Sequence, residues 1–196
     1  EFRGGGIFIT NSSPHLDNLI IKDNNVGNYH GGGVYIQASD HSVNISNSII
    51  KNNSGYGSGI YLGNGELTVN NTLIYENTGL SRGSSVFVGA DLTFINSTLV
   101  NNINIGEIKY SGGFNIGNGG HLRLINSIVW GNTPTEEGLS SIVITSDDPQ
   151  MGDTVATIAY SIIEGSSSGI GYSSNDTSSV YSWLDGNIAT YPSFVD

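Results

Sequence analysis

The chain has 196 residues, 28 of them glycine and none cysteine, with 37% apolar and 12% charged side chains and a formal charge of −11. The missing cysteines exclude disulfides, thiolate metal sites and a cysteine nucleophile, and the acidic balance argues against nucleic acid or an anionic membrane as partner, since both recruit basic surfaces. No apolar run reaches the ~18 residues of a membrane-spanning helix, and so much glycine with so little charge favours a turn-rich β architecture over a helical one.

The first residues, Glu1-Phe2-Arg3, lead straight into patterned sequence with no basic segment and apolar core of a signal peptide. We read the chain as a segment of something longer, which leaves its export and redox compartment open. The pattern begins with Gly4-Gly5-Gly6-Ile7-Phe8-Ile9 and returns as Gly31-Gly32-Gly33-Val34-Tyr35-Ile36. It continues as Ser58-Gly59-Ile60-Tyr61-Leu62, Ser84-Ser85-Val86-Phe87-Val88, Gly112-Gly113-Phe114-Asn115-Ile116 and Ser140-Ser141-Ile142-Val143-Ile144. The apolar triplets start 27, 26, 26, 28 and 28 residues apart. That period marks a solenoid, one elongated body whose units touch only their neighbours.

Each unit carries a second run that alternates cleanly, as in Val43-Asn44-Ile45, Leu67-Thr68-Val69, Leu92-Thr93-Phe94 and Leu122-Arg123-Leu124. Alternation of this kind buries one face and wets the other. A third run follows: Leu19-Ile20-Ile21, Ser48-Ile49-Ile50, Thr72-Leu73-Ile74, Thr98-Leu99-Val100, Ser127-Ile128-Val129 and Ser161-Ile162-Ile163. Three short runs per unit predict an all-β solenoid of parallel strands, about six coils of three strands each. A propeller blade would need a longer period and a fourth strand. At one strand spacing of about 4.8 Å per coil, the rod is roughly 30 Å long.

Asparagine recurs after the third run at Asn24, Asn53, Asn77 and Asn132. Stacked coils would set these amides above one another in a structural ladder that satisfies buried turn groups. Asn101-Asn102 stand one place out of step, so the ladder is expected to be interrupted in the fourth unit. Residues 1–165 are thus read as coils and 166–196 as an irregular C-terminal segment, a cap or the start of a linker, with Trp183 and Tyr191 placed to cover the open end.

The phrases Gly4-Gly5-Gly6-Ile7-Phe8-Ile9 and Leu92-Thr93-Phe94-Ile95-Asn96-Ser97-Thr98-Leu99-Val100-Asn101-Asn102 resemble the repeats of bacterial right-handed parallel β-helix surface proteins. These are the repeats of polymorphic outer-membrane proteins and of pectate-lyase-like β-helices. The closing Gly186-Asn187-Ile188-Ala189-Thr190-Tyr191-Pro192-Ser193-Phe194-Val195-Asp196 is similar to segments that end such secreted repeat regions. The resemblance implies a right-handed coil and an extracellular or cell-surface location. It speaks for fold rather than activity.

Several residue groups bear on chemistry. Asp147, Asp148 and Asp153 form an acidic cluster whose ordinary role is a solvated turn; as a cation site it would take calcium. Lys22 and Lys51 stand at one position in successive coils and read as solvated cations. His15, His41 and His121 precede the second run. No nucleophile elbow, phosphate loop or metalloprotease motif is present.

The informative columns face outward. Alternation in the first run turns Phe8, Tyr35, Tyr61 and Phe87 out of the core in four consecutive coils, a ribbon able to bind sugar faces or a protein, unless the rings stack on themselves or lie under a loop. In the third run Ile49, Leu73, Leu99, Ile128 and Ile162 are expected to form an apolar outer stripe. The sequence therefore reads as a non-enzymatic extracellular module, a stalk, adhesin-like or assembly segment, whose partner is a polysaccharide, a protein surface or another copy of the solenoid. The alternative is a carbohydrate-active β-helix, a lyase or glycoside hydrolase working beside the aromatic ribbon.

Overall fold

A computed structural model describes residues 3–80, 84–106, 111–133, 141–145, 152–172 and 180–193, and in it the chain is a solenoid of stacked parallel strands. The first-run column runs in unbroken register from Ile7 through Val34, Ile60, Val86, Phe114 and Ile142 to Ile170. The second run stacks Val43, Leu67, Leu92, Leu122 and Ala156. The third stacks Ile21, Ile50, Ile74, Leu99, Val129 and Ile163. All of these except Ile7 are buried, and together they make one continuous apolar core. Each coil buries its inner side chains against the coils on either side, so stability is cooperative between neighbours.

Among the described residues the strands form three parallel sheets of twelve, six and four members. Runs one and two belong to the same sheet because the strands Val34–Ser46 and Ile60–Asn70 pass through the corner between them unbroken. The third run makes the six-stranded sheet. The four-stranded sheet was not expected: Asn25–His30, Ser54–Tyr56, Thr78–Gly79 and Ile103–Asn104 add a fourth short strand to successive coils. Its residues are mostly glycine and small polar side chains, which carry no apolar alternation to read.

The fourth coil corrects two expectations at once. Thr98 pairs with Leu73 and Leu99 with Ile74, so Leu99 belongs to the core and Thr98 takes its place in the outward column. A one-residue shift exchanges the faces of every side chain in a strand. The same shift brings Asn102 into line with Asn77, so the asparagine ladder is not interrupted. Asn24 Nδ2 donates to Asn53 Oδ1 at 2.9 Å, Asn53 to Asn77 at 3.0 Å, Asn77 to Asn102 at 3.0 Å and Asn102 to Asn132 at 2.8 Å. Asn53, Asn77, Asn102 and Asn132 also donate to Ile21, Ile50, Ile74 and Leu99 carbonyls, closing the corner of the coil below.

A second internal ladder stands at the opposite end of run three. Backbone N–H groups of Leu19, Ser48, Thr72, Ser97 and Ser127 donate to the hydroxyls of Ser48, Thr72, Ser97, Ser127 and Ser161 in the next coil. The Ser161 N–H donates in turn to Asn187 Oδ1 at 2.9 Å. Asn187 lies in the segment expected to be irregular. That segment carries a further turn: Ile170–Tyr172 pairs with Ile142–Ile144, Val180–Trp183 with Val155–Ile158, and Ile188 bridges to Ile162. Its strands are isolated among serines, which hid their period.

Candidate functional site

The aromatic column forms as expected and then uses up most of its own binding surface. Phe8 and Tyr35 stack with centroids 5.2 Å apart at 6°, Tyr35 and Tyr61 at 5.2 Å and 5°, Tyr61 and Phe87 at 4.7 Å and 16°. Near-parallel rings repeated along the rod leave only edges facing outward. Those edges are partly covered, because the fourth-strand segments bring His30 and Tyr56 against Tyr61, and Tyr56 against Phe87. Tyr35 and Phe87 are each 3% exposed, whereas Phe8 in the first coil is 52% exposed. Arg3 lies over the Tyr35 ring and donates to its hydroxyl at 2.9 Å, and that hydroxyl donates to Gln37 Oε1 at 2.6 Å. Burial, with the neighbouring Tyr35, pushes the Tyr61 hydroxyl up to about 12. Of the four rings proposed for binding, Phe8 is exposed, Tyr61 half-buried, and Tyr35 and Phe87 buried.

The other sequence candidates disperse. Asp147 and Asp148 lie outside the described residues, and Asp153 is exposed. Among the described residues no three His, Asp or Glu side chains are grouped to hold a metal ion, and no helix is long and apolar enough to cross a membrane. His15 and His41 each bond to a serine of the adjacent coil, Ser46 at 2.9 Å and Ser13 at 3.1 Å. Lys22 and Lys51 are in register, and Lys51 lies over the Tyr75 ring at 5.2 Å. In the run-three stripe, Ile20 is 65% exposed while Ile49, Leu73, Ile128 and Ile162 are half-buried by their neighbours in the column. At the far end Tyr191 packs edge-on against Trp130 at 5.7 Å, so the tail covers part of this face.

A polar cleft that none of these expectations named lies where run one turns into run two. It has a volume of about 590 Å³ and is lined by Asp40, His41, Ser42, Glu66, Asp91 and His121, together with Gly65, Ala90 and Gly119. Close approach of successive coils builds the corner: a Cβ on Gly65 would meet the Ala38 carbonyl oxygen at 2.3 Å, and one on Gly120 the Val88 oxygen at 2.2 Å. Only glycine allows the backbones so near. Ser42, Glu66, Asp91 and His121 are register partners in four consecutive coils, one strand spacing apart. Two residues further along each strand stand Asn44, Thr68, Thr93 and Arg123.

Like charges directly opposite across strands are destabilising, and Glu66 faces Asp91. Each carboxylate has its own compensating partner. The Ser42 hydroxyl donates to Glu66 Oε2 at 2.7 Å, and His121 Nδ1 lies 2.9 Å from Asp91 Oδ1. The column thus offers carboxylate acceptors, an imidazole and, alongside, hydroxyls and a guanidinium in a fixed row along the rod. It could have been found in the sequence. The alternation that aligned Thr68, Thr93 and Arg123 also aligns the residues two places before them.

A family model described as a right-handed beta helix region matches residues 1–128. The chain belongs to that family. The matched residues include the first four aromatic rungs, the asparagine ladder as far as Asn102, and all the cleft side chains named above. No curated protein and no solved structure matches the chain.

Proposed function

We propose that this β-helix is a rigid, non-enzymatic module of a bacterial extracellular or cell-surface protein, and that it holds a polysaccharide along its run-two face. The location rests on the resemblance of its repeats to those of polymorphic outer-membrane and pectate-lyase-like proteins. The contact rests on one observation above all: Ser42, Glu66, Asp91 and His121 stand in register beside Asn44, Thr68, Thr93 and Arg123, in and beside an open cleft. Such a row of donors and acceptors, spaced by about 4.8 Å per coil, suits a hydroxyl-rich chain laid parallel to the axis. The two ladders inside keep the row straight without help from a ligand, so little ordering entropy is lost on binding.

Retention on immobilised neutral and acidic polysaccharides tests this reading. The Glu66→Gln, Asp91→Asn double variant should lose retention with an unchanged thermal midpoint, because both side chains are exposed. Retention equal to that of the parent protein would remove the cleft from the contact surface. A second reading is favoured by the paired carboxyl groups themselves, since glycosidic cleavage uses two of them with an acid and a base role. New reducing ends released from a polysaccharide, and abolished by Asp91→Asn alone, would make the β-helix an enzyme instead.

A further inference from the structure

The chain contains two Asn-Gly pairs, Asn64-Gly65 and Asn118-Gly119, and both flank the run-one corner. Asn-Gly is the pair in which the next backbone nitrogen meets least obstruction when it attacks the asparagine side chain. The fold treats the two pairs oppositely. Asn64 lies within the strand Ile60–Asn70, its Oδ1 is buried without a hydrogen-bond partner, and Gly65 is pressed against the carbonyl of Ala38. Swinging the Gly65 nitrogen onto the Asn64 side chain would require two coils to part.

Asn118 is exposed at the tip of a turn closed by one bond, Gly120 N–H to the Gly117 carbonyl at 2.9 Å. Asn118 and Gly119 both have left-handed backbones, φ 56° and 71°. Asparagine holds that conformation at some cost, so leaving it relieves strain. Among the described residues neither the Asn118 side chain nor the Gly119 N–H is engaged in a hydrogen bond, and the turn's closing bond is the restraint they place on the attack.

We propose that Asn118 is a site of spontaneous deamidation, a modification one residue away from Gly119 of the polar cleft. The Gly119 nitrogen bonds to Cγ of Asn118 and loses its proton, while the side-chain amide nitrogen departs with that proton as ammonia. The cyclic imide left behind is opened by water. Cleavage at the side-chain carbonyl gives aspartate, and cleavage at the main-chain carbonyl gives isoaspartate, with a methylene added to the backbone. Either product adds a carboxylate next to Gly119, which lines the cleft together with Asp91 and His121. The isoaspartyl form also lengthens the turn and breaks its closing bond. Fresh and aged molecules therefore differ in the charge and shape of the cleft, whatever the cleft binds.

The test is peptide mapping of the purified chain after incubation in warm, mildly alkaline buffer, once folded and once in concentrated urea. In the folded protein Asn118 should lose its amide at least about tenfold faster than Asn64, which reacts only through local opening of the coil. In urea the two should react within a factor of about two, because the restraint on Asn64 is structural. The acidic species that accumulates on anion exchange should be missing from Asn118→Gln. Equal rates in the folded protein, or reaction at Asn64 first, would overturn the proposal. A difference that persists unchanged in urea would also overturn it, since local sequence would then be the cause.

Discussion

The buried asparagine ladder and the outer aromatic ladder are built alike, one side chain per coil in register, yet they do opposite things. The asparagines are held between coils by donors and acceptors that have no water to turn to, and every rung from Asn53 to Asn132 is 3% exposed or less. Rings on the outer side of run one hold one another by their faces, and their exposure ranges from 3% at Tyr35 and Phe87 to 52% at Phe8. Inside, a column is a structural necessity once its first rung is buried. Outside, the same repetition does not say whether the column is a surface or is itself covered.

The largest effect that separates the two is at Asn77. Its Oδ1 accepts from both the backbone N–H and the Nδ2 of Asn53, and its Nδ2 donates to the Ile50 carbonyl and to Asn102 Oδ1. Asn77→Ala strands these groups, at about 1–3 kcal/mol for each one left buried and unpaired. Urea denaturation should show a loss of about 3–5 kcal/mol, more than any single ring of the aromatic column supplies.

Truncating the aromatic column should give a graded response. Phe87→Ala, which removes a buried ring stacked at 4.7 Å on Tyr61, should cost about 3 kcal/mol by the same measurement, the low end for buried aromatics. Phe8→Ala, with half of its ring already in water, should cost less than about 1 kcal/mol. If the two were equal, the covering of the column by His30 and Tyr56 would carry no weight.

The serine ladder gives a smaller and more specific contrast. Ser97→Ala removes the acceptor for the Thr72 N–H and should cost about 1–2 kcal/mol, whereas Ser97→Thr should be nearly neutral because threonine already serves at Thr72. The mildest effect is on pH. Tyr61 ionises near 12 when folded against an ordinary 10.0. Between those values the unfolded chain releases a proton that the folded chain keeps. Stability is therefore full below 10 and falls as pH rises towards 12. Tyr61→Phe should flatten that part of the curve, read as the urea midpoint against pH.

Most of the fold was legible because a solenoid repeats its own test. The first-run triplets align without exception from Ile7 to Ile142, since a pair of glycine or serine residues marks where each begins. Where the sequence misled, two neighbouring residues competed for one role. Thr98-Leu99-Val100 offers as good an apolar run as Ser97-Thr98-Leu99, and only the buried hydroxyl of Ser97 and amide of Asn102 choose between them. The fourth strands were invisible for want of apolar residues. The cleft was within reach, because Ser42, Glu66, Asp91 and His121 share one phase of a run already aligned.

Register across the coils is the claim from which the ladders, the cleft and the core all follow, and paired nitroxide labels measure it directly. The chain has no native cysteine to interfere. Labels at Thr68 and Thr93, outward partners in adjacent coils, should lie about one strand spacing apart, ~5 Å, and give a strongly broadened electron paramagnetic resonance spectrum. Labels at Thr68 and Thr157, three coils apart along the same column, should lie about 14 Å apart and broaden far less. Equal broadening for both pairs, or none for the adjacent pair, would contradict a chain wound in register.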